Sequence, residues 1–189
     1  NLLCENVKKT FSLIKKKKLN SIILNYDEKS ENLFLWYQQL ISESLGKKSK
    51  GILPMISNMP RDNHSLLQLY LDGPKDKIFY IFSTETKSSV KIKIEKIIDK
   101  KNILNQKFLN FIKKAQKNAL IKTLNKNKLP YREFILKKNN ASTLGKLFSY
   151  FILETIIVGK LSKINPYDQP AVEQVKKYTN QILNLKNQR

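Results

Sequence analysis

The chain has 189 residues and a mass of 22.1 kDa, the size of one ordinary domain, and its 41% hydrophobic and 10% aromatic residues are enough for a packed core, which excludes wholesale disorder. Lysine and arginine number 36 against 15 acidic residues, a net charge of +21 that raises nucleic-acid or acidic-lipid binding as a function class. The lysines are spread over the whole chain and Arg61, Arg132 and Arg189 are the only arginines, so base-edge readout and phosphate forks, which lean on arginine, are disfavoured and no nucleic-acid partner is expected.

The first residues, NLLCENVKKTFSL, read as the middle of a helix, and residues 1–18 form an apolar and basic helix ending in KKKK; we expect a piece of a longer polypeptide. SIILNY (21–26) is a short apolar run suited to a buried strand. SENLFLWYQQLISESLG follows with Leu33, Trp36, Tyr37, Leu40 and Ile41 at helical spacing and Gly46 placed to stop it. GILPMIS (51–57) predicts a second strand, RDNHSLLQLYLDG (61–73) a helix closed by Gly73, and KIFYIFSTE (77–85) a third strand with the unbroken apolar run of a parallel strand buried on both faces. The lysine-rich stretch 86–102 reads as a solvated excursion. Residues 103–125 predict a long helix on Leu104, Phe108, Phe111, Ile112, Ala115 and Ala119, and YREFIL (131–136) another strand. STLGKLFSYFILETIIVGKL reads as the most buried helix, and AVEQVKKYTNQILNL as a closing amphipathic one. Strands alternating with helices give an α/β layered domain with a mainly parallel sheet.

The longest apolar run, 147–159, is 13 residues and contains Glu154, whereas a membrane span needs about 20; no membrane partner is expected. A single cysteine, Cys4, excludes an internal disulfide, and the cytoplasm is the default location. One histidine and one cysteine leave no zinc site to build, so no metal is expected. Neither common glycine-rich phosphate loop is present, nor a serine–histidine triad pattern.

The one histidine, His64, follows Asp62 and Asn63, both good helix caps, which puts it in the first turn of the predicted helix. A helix N-terminus disfavours imidazolium and so favours a neutral ring able to take or give a proton near pH 7; a plain surface histidine beside a cap fits the same residues. Glu43, in ESLGKKSKG at the end of the Trp36 helix, could serve as a general base, but on these residues alone a solvated glutamate near a helix end is the stronger reading. In PYDQPAVEQVKK (166–177), Pro170 stands in the opening position of a helix on which Glu173 and Lys176 lie three apart, the spacing of a surface ion pair.

WYQQLISESLGKKSKGILPMISNMPRDNHSLLQLYLDGPKD and GKLSKINPYDQPAVEQVKK together resemble the second half of the bacterial glucose-6-phosphate isomerase family. The first carries the pattern W-x-x-Q-L…E-S-x-G-K…H-S-L-x-Q, the second N-P-Y-D-Q-P-x-V-E-x-x-K, and with SIILNY and STLGKLFSYFILE the similarity runs over nearly the whole chain. The sequence departs from the family at Ala171, where the signature has glycine, at Ser162, where an apolar residue is preferred, and at Ile41-Ser42.

The resemblance implies a sugar isomerase (SIS) domain, a three-layer α-β-α sandwich around a mainly parallel five-stranded sheet, occupying residues 20–189 after an N-terminal helix (1–19) left from the interdomain region. It implies interconversion of glucose 6-phosphate and fructose 6-phosphate through an enediol, in glycolysis and gluconeogenesis, with no cofactor. Glu43 falls on the family's base, His64 on its ring-opening histidine and Lys176 on the lysine that assists ring opening. It further implies a sugar phosphate substrate whose phosphate is held by an N-terminal SIS domain outside this sequence, and a homodimer with a shared active site to which the histidine comes from the neighbouring subunit; the 189 residues alone would be inactive. A non-catalytic sugar-phosphate-sensing domain of the same fold is the alternative, against which the retained glutamate, histidine and lysine weigh.

Overall fold

A computed structural model of the chain describes residues 2–85, 90–93 and 103–186. In chain order the elements are α1 (Leu2–Lys15), β1 (Asn20–Asn25), α2 (Glu31–Leu45), β2 (Leu53–Asn58), α3 (Leu67–Asp72), β3 (Lys77–Thr84), α4 (Leu109–Lys126), β4 (Tyr131–Leu136), α5 (Ala141–Leu161) and α6 (Pro170–Lys186). The four strands form one parallel sheet in the order β2-β1-β3-β4. The α/β class and the parallel sheet agree with the sequence reading, but the sheet has four strands, not the five implied by the family resemblance. Each observed strand matches one of the four apolar runs, and no further run of that kind is present in the described residues.

The central strands bury both faces because their side chains alternate between two helical layers. Ile23, Ile78, Tyr80 and Phe82 point into a core closed by Val7 of α1, Leu33, Phe34, Tyr37 and Ile41 of α2, and Leu147, Phe151 and Val158 of α5. Ile22, Leu24, Phe79 and Ile81 point the other way, onto Tyr70 of α3 and Leu120 and Leu124 of α4. This is the three-layer sandwich. Aromatic rings join the layers edge to face: Phe34 meets Phe82 at 4.6 Å between centroids, and Trp36 meets Phe148 at 4.3 Å.

α1 is bound to α5 by polar as well as apolar contacts. Asn6 donates to the Tyr150 hydroxyl (2.9 Å) and Thr10 to the Glu154 carboxylate (3.2 Å), while Arg132 at the start of β4 grips both oxygens of Glu154 (2.6 and 3.0 Å). The Arg132 guanidinium lies over the rings of Tyr80 (4.5 Å) and Phe134 (5.3 Å). Burial opposes the arginine's charge, but the surrounding Tyr80 and the Glu154 carboxylate outweigh it and hold the cation firmly.

Three expectations change in detail. α5 is long and apolar enough to cross a membrane by length and composition, yet here it packs on α1 and α2 through a single stripe (Leu147, Phe151, Glu154, Thr155, Val158), leaving Ile152, Leu153 and Leu161 exposed. It is a one-sided core helix rather than one buried all round. α4 starts at Leu109, not 103, because residues 104–107 bond to the 90–93 segment instead: Gln106 donates to the Ile92 carbonyl and the Ile92 amide to Lys107. Its buried side chains are Lys117, Leu120 and Leu124, and Phe111 faces solvent. The 61–73 stretch is not one helix: residues Arg61–Asn63 form a 3-10 turn and α3 begins only at Leu67. His64 terminates that turn, so the helix-dipole argument for its neutral form does not apply. The lysine-rich excursion expected over 86–102 lies, apart from residues 90–93, outside the described residues.

Candidate active site

α2 follows β1 and runs back along the sheet, so its last turn returns to the amino ends of the strands. There Gly46 caps the helix, its amide donating to the Ser42 carbonyl, and the chain reverses through Lys48 and Ser49, both with left-handed backbone (φ 53° and 55°), and Gly51 at φ 141°. Gly51 is required: a Cβ there would lie 3.0 Å from the Gly46 Cα and 3.1 Å from the Leu45 carbonyl oxygen. The reversed chain starts β2 beside β1, where the Leu53 amide donates to the Leu19 carbonyl (2.7 Å).

The loop between α5 and α6 comes down on this end of α2, and the two motifs singled out in the sequence meet in a cavity of about 490 Å³ lined by Glu43, Gly46, Lys47, Asp168, Gln169 and Ala171 among others. Glu43 is half-buried, and each of its carboxylate oxygens accepts from a neutral amide: Oε1 from Gln39 Nε2 (2.9 Å) and Oε2 from Gln169 Nε2 (2.7 Å). Gln39 reaches it from one helical turn earlier on the same face. Lys47, whose side chain is 9% exposed, donates to the Asn165 carbonyl (2.6 Å) and pairs with Asp168 (2.9 Å). The hydrogen bond from Lys47 holds the Asp168 carboxyl below its ordinary range. Asn165 in turn accepts from the Tyr167 amide (3.2 Å), and Pro170 opens α6. Ala171 lies in that first helical turn, where an alanine fits without strain.

The other two residues are elsewhere. His64 is exposed beyond the carboxyl end of β2, the far end of the sheet from Glu43; six strand residues separate the two ends by about 20 Å. The turn that carries it is pinned by Asp62, a buried carboxylate accepting from the Asn58 amide (2.8 Å) and Arg61 (2.9 Å). Lys176 is exposed on α6, one turn past the crevice, paired with Glu173 (2.8 Å). The surface ion pair read from their spacing is therefore present. The sequence reading passed over Gln39 and Gln169 as partners of Glu43; Gln39 was legible from its i−4 spacing, while Gln169 required the tertiary fold.

A second polar cluster closes the carboxyl edge of the sheet between β1 and β3. Asp27 Oδ2 accepts from Thr84 (2.7 Å), Ser30 (2.8 Å) and Asn139 (3.2 Å), and Oδ1 from the Lys29 amide (3.3 Å). Burial alone would push this carboxyl up, but the hydrogen bonds from Thr84, Ser30, Asn139 and Lys29 outweigh it and leave it below the usual range. The loops after β1, β3 and β4 are thus tied together on one carboxylate. Among the described residues no three His, Cys, Asp or Glu side chains gather where they could hold a metal ion.

No protein-family model matches the chain. It is 38% identical over 158 residues to a glucose-6-phosphate isomerase of Methanocaldococcus jannaschii, covering 83% of this chain and 39% of that protein. It is 36% identical over 178 residues to a glucose-6-phosphate isomerase of Mycoplasmopsis pulmonis, covering 92% and 42%. The chain therefore spans about two fifths of the length of these relatives. Among solved structures, a hypothetical protein from Thermus thermophilus matches 93% of the chain and 44% of its own, with a TM-score of 0.82 and 27% identity. A glucose-6-phosphate isomerase from Chlamydia trachomatis shares the fold at a TM-score of 0.71 and 14% identity, over 90% of this chain and 36% of that one. Over most of its residues, then, the chain is similar to about two fifths of the length of glucose-6-phosphate isomerases.

Proposed function

We propose that this chain is the C-terminal sugar isomerase domain of a glucose-6-phosphate isomerase and supplies proton-transfer groups for interconverting glucose 6-phosphate and fructose 6-phosphate. The observation that carries the reading is the Glu43 carboxylate, held on both oxygens by neutral amides in the crevice where the E-S-x-G-K and N-P-Y-D-Q-P motifs converge. A carboxylate so held keeps its basic lone pairs oriented without being neutralised by a cation. It takes the proton from carbon 2 of the opened sugar, leaving an enediolate, and returns it to carbon 1 on the same face while a proton moves from the carbon 2 oxygen to the carbon 1 oxygen.

His64 is the acid–base group for the ring oxygen, and Lys176 steadies the carbon 1 hydroxyl and developing negative charge during ring opening. With His64 about 20 Å from Glu43 along the sheet, the pair serves one substrate only if the histidine comes from a second copy of the chain. This supports a homodimer with a shared site. Residues 20–189 form the isomerase domain, α1 being the end of an interdomain region packed onto α5, and the phosphate is held by a partner N-terminal domain. The location is the cytoplasm.

The test is isomerisation of fructose 6-phosphate by the full-length protein and its Glu43→Gln variant. Loss of turnover by roughly a hundredfold or more in the variant is expected, since a missing general base removes about 10²–10⁴-fold. Turnover retained by Glu43→Gln removes the assignment; binding of the sugar phosphate without turnover in the unmodified protein identifies a sensor.

A further inference from the structure

We propose that Lys47 is a positioning residue that staples the 165–169 loop onto the end of α2 and thereby holds Gln169 on the Glu43 carboxylate. The proposal rests on the reading of Glu43 as the base.

Most lysines of this chain are exposed, whereas the Lys47 side chain is 9% exposed and its ammonium is engaged twice, by the Asn165 carbonyl (2.6 Å) and by Asp168 (2.9 Å). Removing a cation from water is costly unless it is paired and hydrogen-bonded, so a lysine kept in this position is there for what it holds. Its two partners flank the turn that ends in Gln169. From Asp168 to Gln169 is one residue, so fixing Asp168 fixes where the Gln169 amide can reach, and that amide is 2.7 Å from Glu43 Oε2.

The staple has few substitutes. Asp168 is itself 54% exposed and Tyr167 is 71% exposed, so neither side chain anchors the turn by packing. Lys50, nearby, donates to the Ser162 carbonyl (3.0 Å) and fixes the end of α5 instead. Pro166 is half-buried, but the four residues that follow it are exposed. Without the Lys47 ammonium, the loop keeps its internal bonds, from the Tyr167 amide to Asn165 and from the Val172 amide to the Gln169 carbonyl, but these do not tie it to α2, and Glu43 keeps one fixed donor, Gln39.

No hydrogen bond or ion pair joins Lys47 to Glu43, so its effect passes through Gln169. That gives the test its form. In the full-length protein, Lys47→Met is compared with the unmodified chain, and again in a Gln169→Ala background, measuring kcat and KM for fructose 6-phosphate. Hydrogen exchange of the 165–169 amides is measured alongside. The expected result is a kcat lower by roughly ten- to a hundredfold, as misplacing a reacting group by about 1 Å costs, with KM little changed. Most of that loss disappears when Gln169 is already alanine, and amides 165–169 exchange faster.

An unchanged kcat, an equal loss in both backgrounds, or unchanged exchange of the loop would each overturn the proposal. Where Lys47→Met does not fold, Asp168→Asn, an exposed change that removes the same ion pair, takes its place with the same expected pattern. Glu43→Gln run in parallel separates the two ideas. If it stays active, the base assignment falls and exchange alone decides whether Lys47 staples the loop. If it is inactive while Lys47→Met is unaffected, only the staple falls.

Discussion

Replacing Arg132 by methionine removes the cation from a site where an acid is already buried. Glu154 has 8% of its side chain exposed and Arg132 has 14%, and the two share a fork of 2.6 and 3.0 Å. After Arg132→Met the Glu154 carboxylate retains Thr10 (3.2 Å) as a donor but no counter-charge. Breaking one side of such a pair costs about 3–5 kcal/mol. Loss of the cation over Tyr80 and Phe134 adds about 0.5–2 kcal/mol. At about 2–4 °C per kcal/mol for a domain of this size, the melting temperature falls by about 7–28 °C.

The double variant Arg132→Met/Glu154→Leu behaves differently, because it leaves no charge in the apolar layer between α1 and α5. Apolar replacement of a whole buried pair is often neutral, so the double variant lies within about 1–2 kcal/mol of the parent. Urea unfolding followed by circular dichroism, on all four members of the cycle, measures this. A double variant less stable than Arg132→Met, or a single variant within about 1 kcal/mol of the parent, would refute the account of this pair as an electrostatic unit.

Asp27→Asn removes the charge that accepts from Thr84, Ser30 and Asn139 and costs about 1–3 kcal/mol near neutral pH. Because the folded carboxyl lies below its unfolded value, its contribution is fully present above about pH 4 and is lost as the pH falls through the lowered folded value; the stability gap between parent and variant therefore closes in acid, read by urea unfolding across pH. Gly51→Ala forces a Cβ into the Gly46 backbone at φ 141° and is expected to cost about 1–3 kcal/mol by thermal melting. Gly145→Ala, in α5 with open space where the methyl would go, is expected to stabilise by about 0.5–1 kcal/mol; a loss there would mean that the helix needs its glycine.

The central strands were legible because a parallel strand buried on both faces must be largely apolar, and KIFYIF fits no other element so well. α6 was legible from Pro170 at its opening, although over residues 170–184 its amphipathic stripe faces solvent, with Val175, Tyr178 and Ile182 each about 60% exposed. Periodicity located α4 but assigned Phe111 to its buried face, since Lys117 also lies inward, its ammonium bonded to Ser83 and Glu133. Charged residues on a buried face defeat a hydrophobic count. Around His64 the caps Asp62 and Asn63 promised a helix, but Asp62 directs its carboxylate to the Asn58 amide and closes a tighter turn. The Glu43 crevice was legible only as two separate motifs. Lys47 and Asn165 are 118 residues apart, and no local pattern joins them.

The strand order also governs how the chain reaches its folded state. β1 and β3 are neighbours in the middle of the sheet, Asn20 opposite Lys77, yet all of α2, β2 and α3 intervene. Closing that excursion costs roughly 3–4 kcal/mol of chain entropy before the pairing returns anything, which places folding among the slower α/β domains. During synthesis at about 5–20 residues per second, β1 waits about 3–10 s for its central neighbour to be made. For that interval Ser21-Ile22-Ile23-Leu24 is an apolar strand with β2 as its available partner on one edge and nothing on the other. Holding that open edge away from other chains is then the step at which a chaperone has most to contribute.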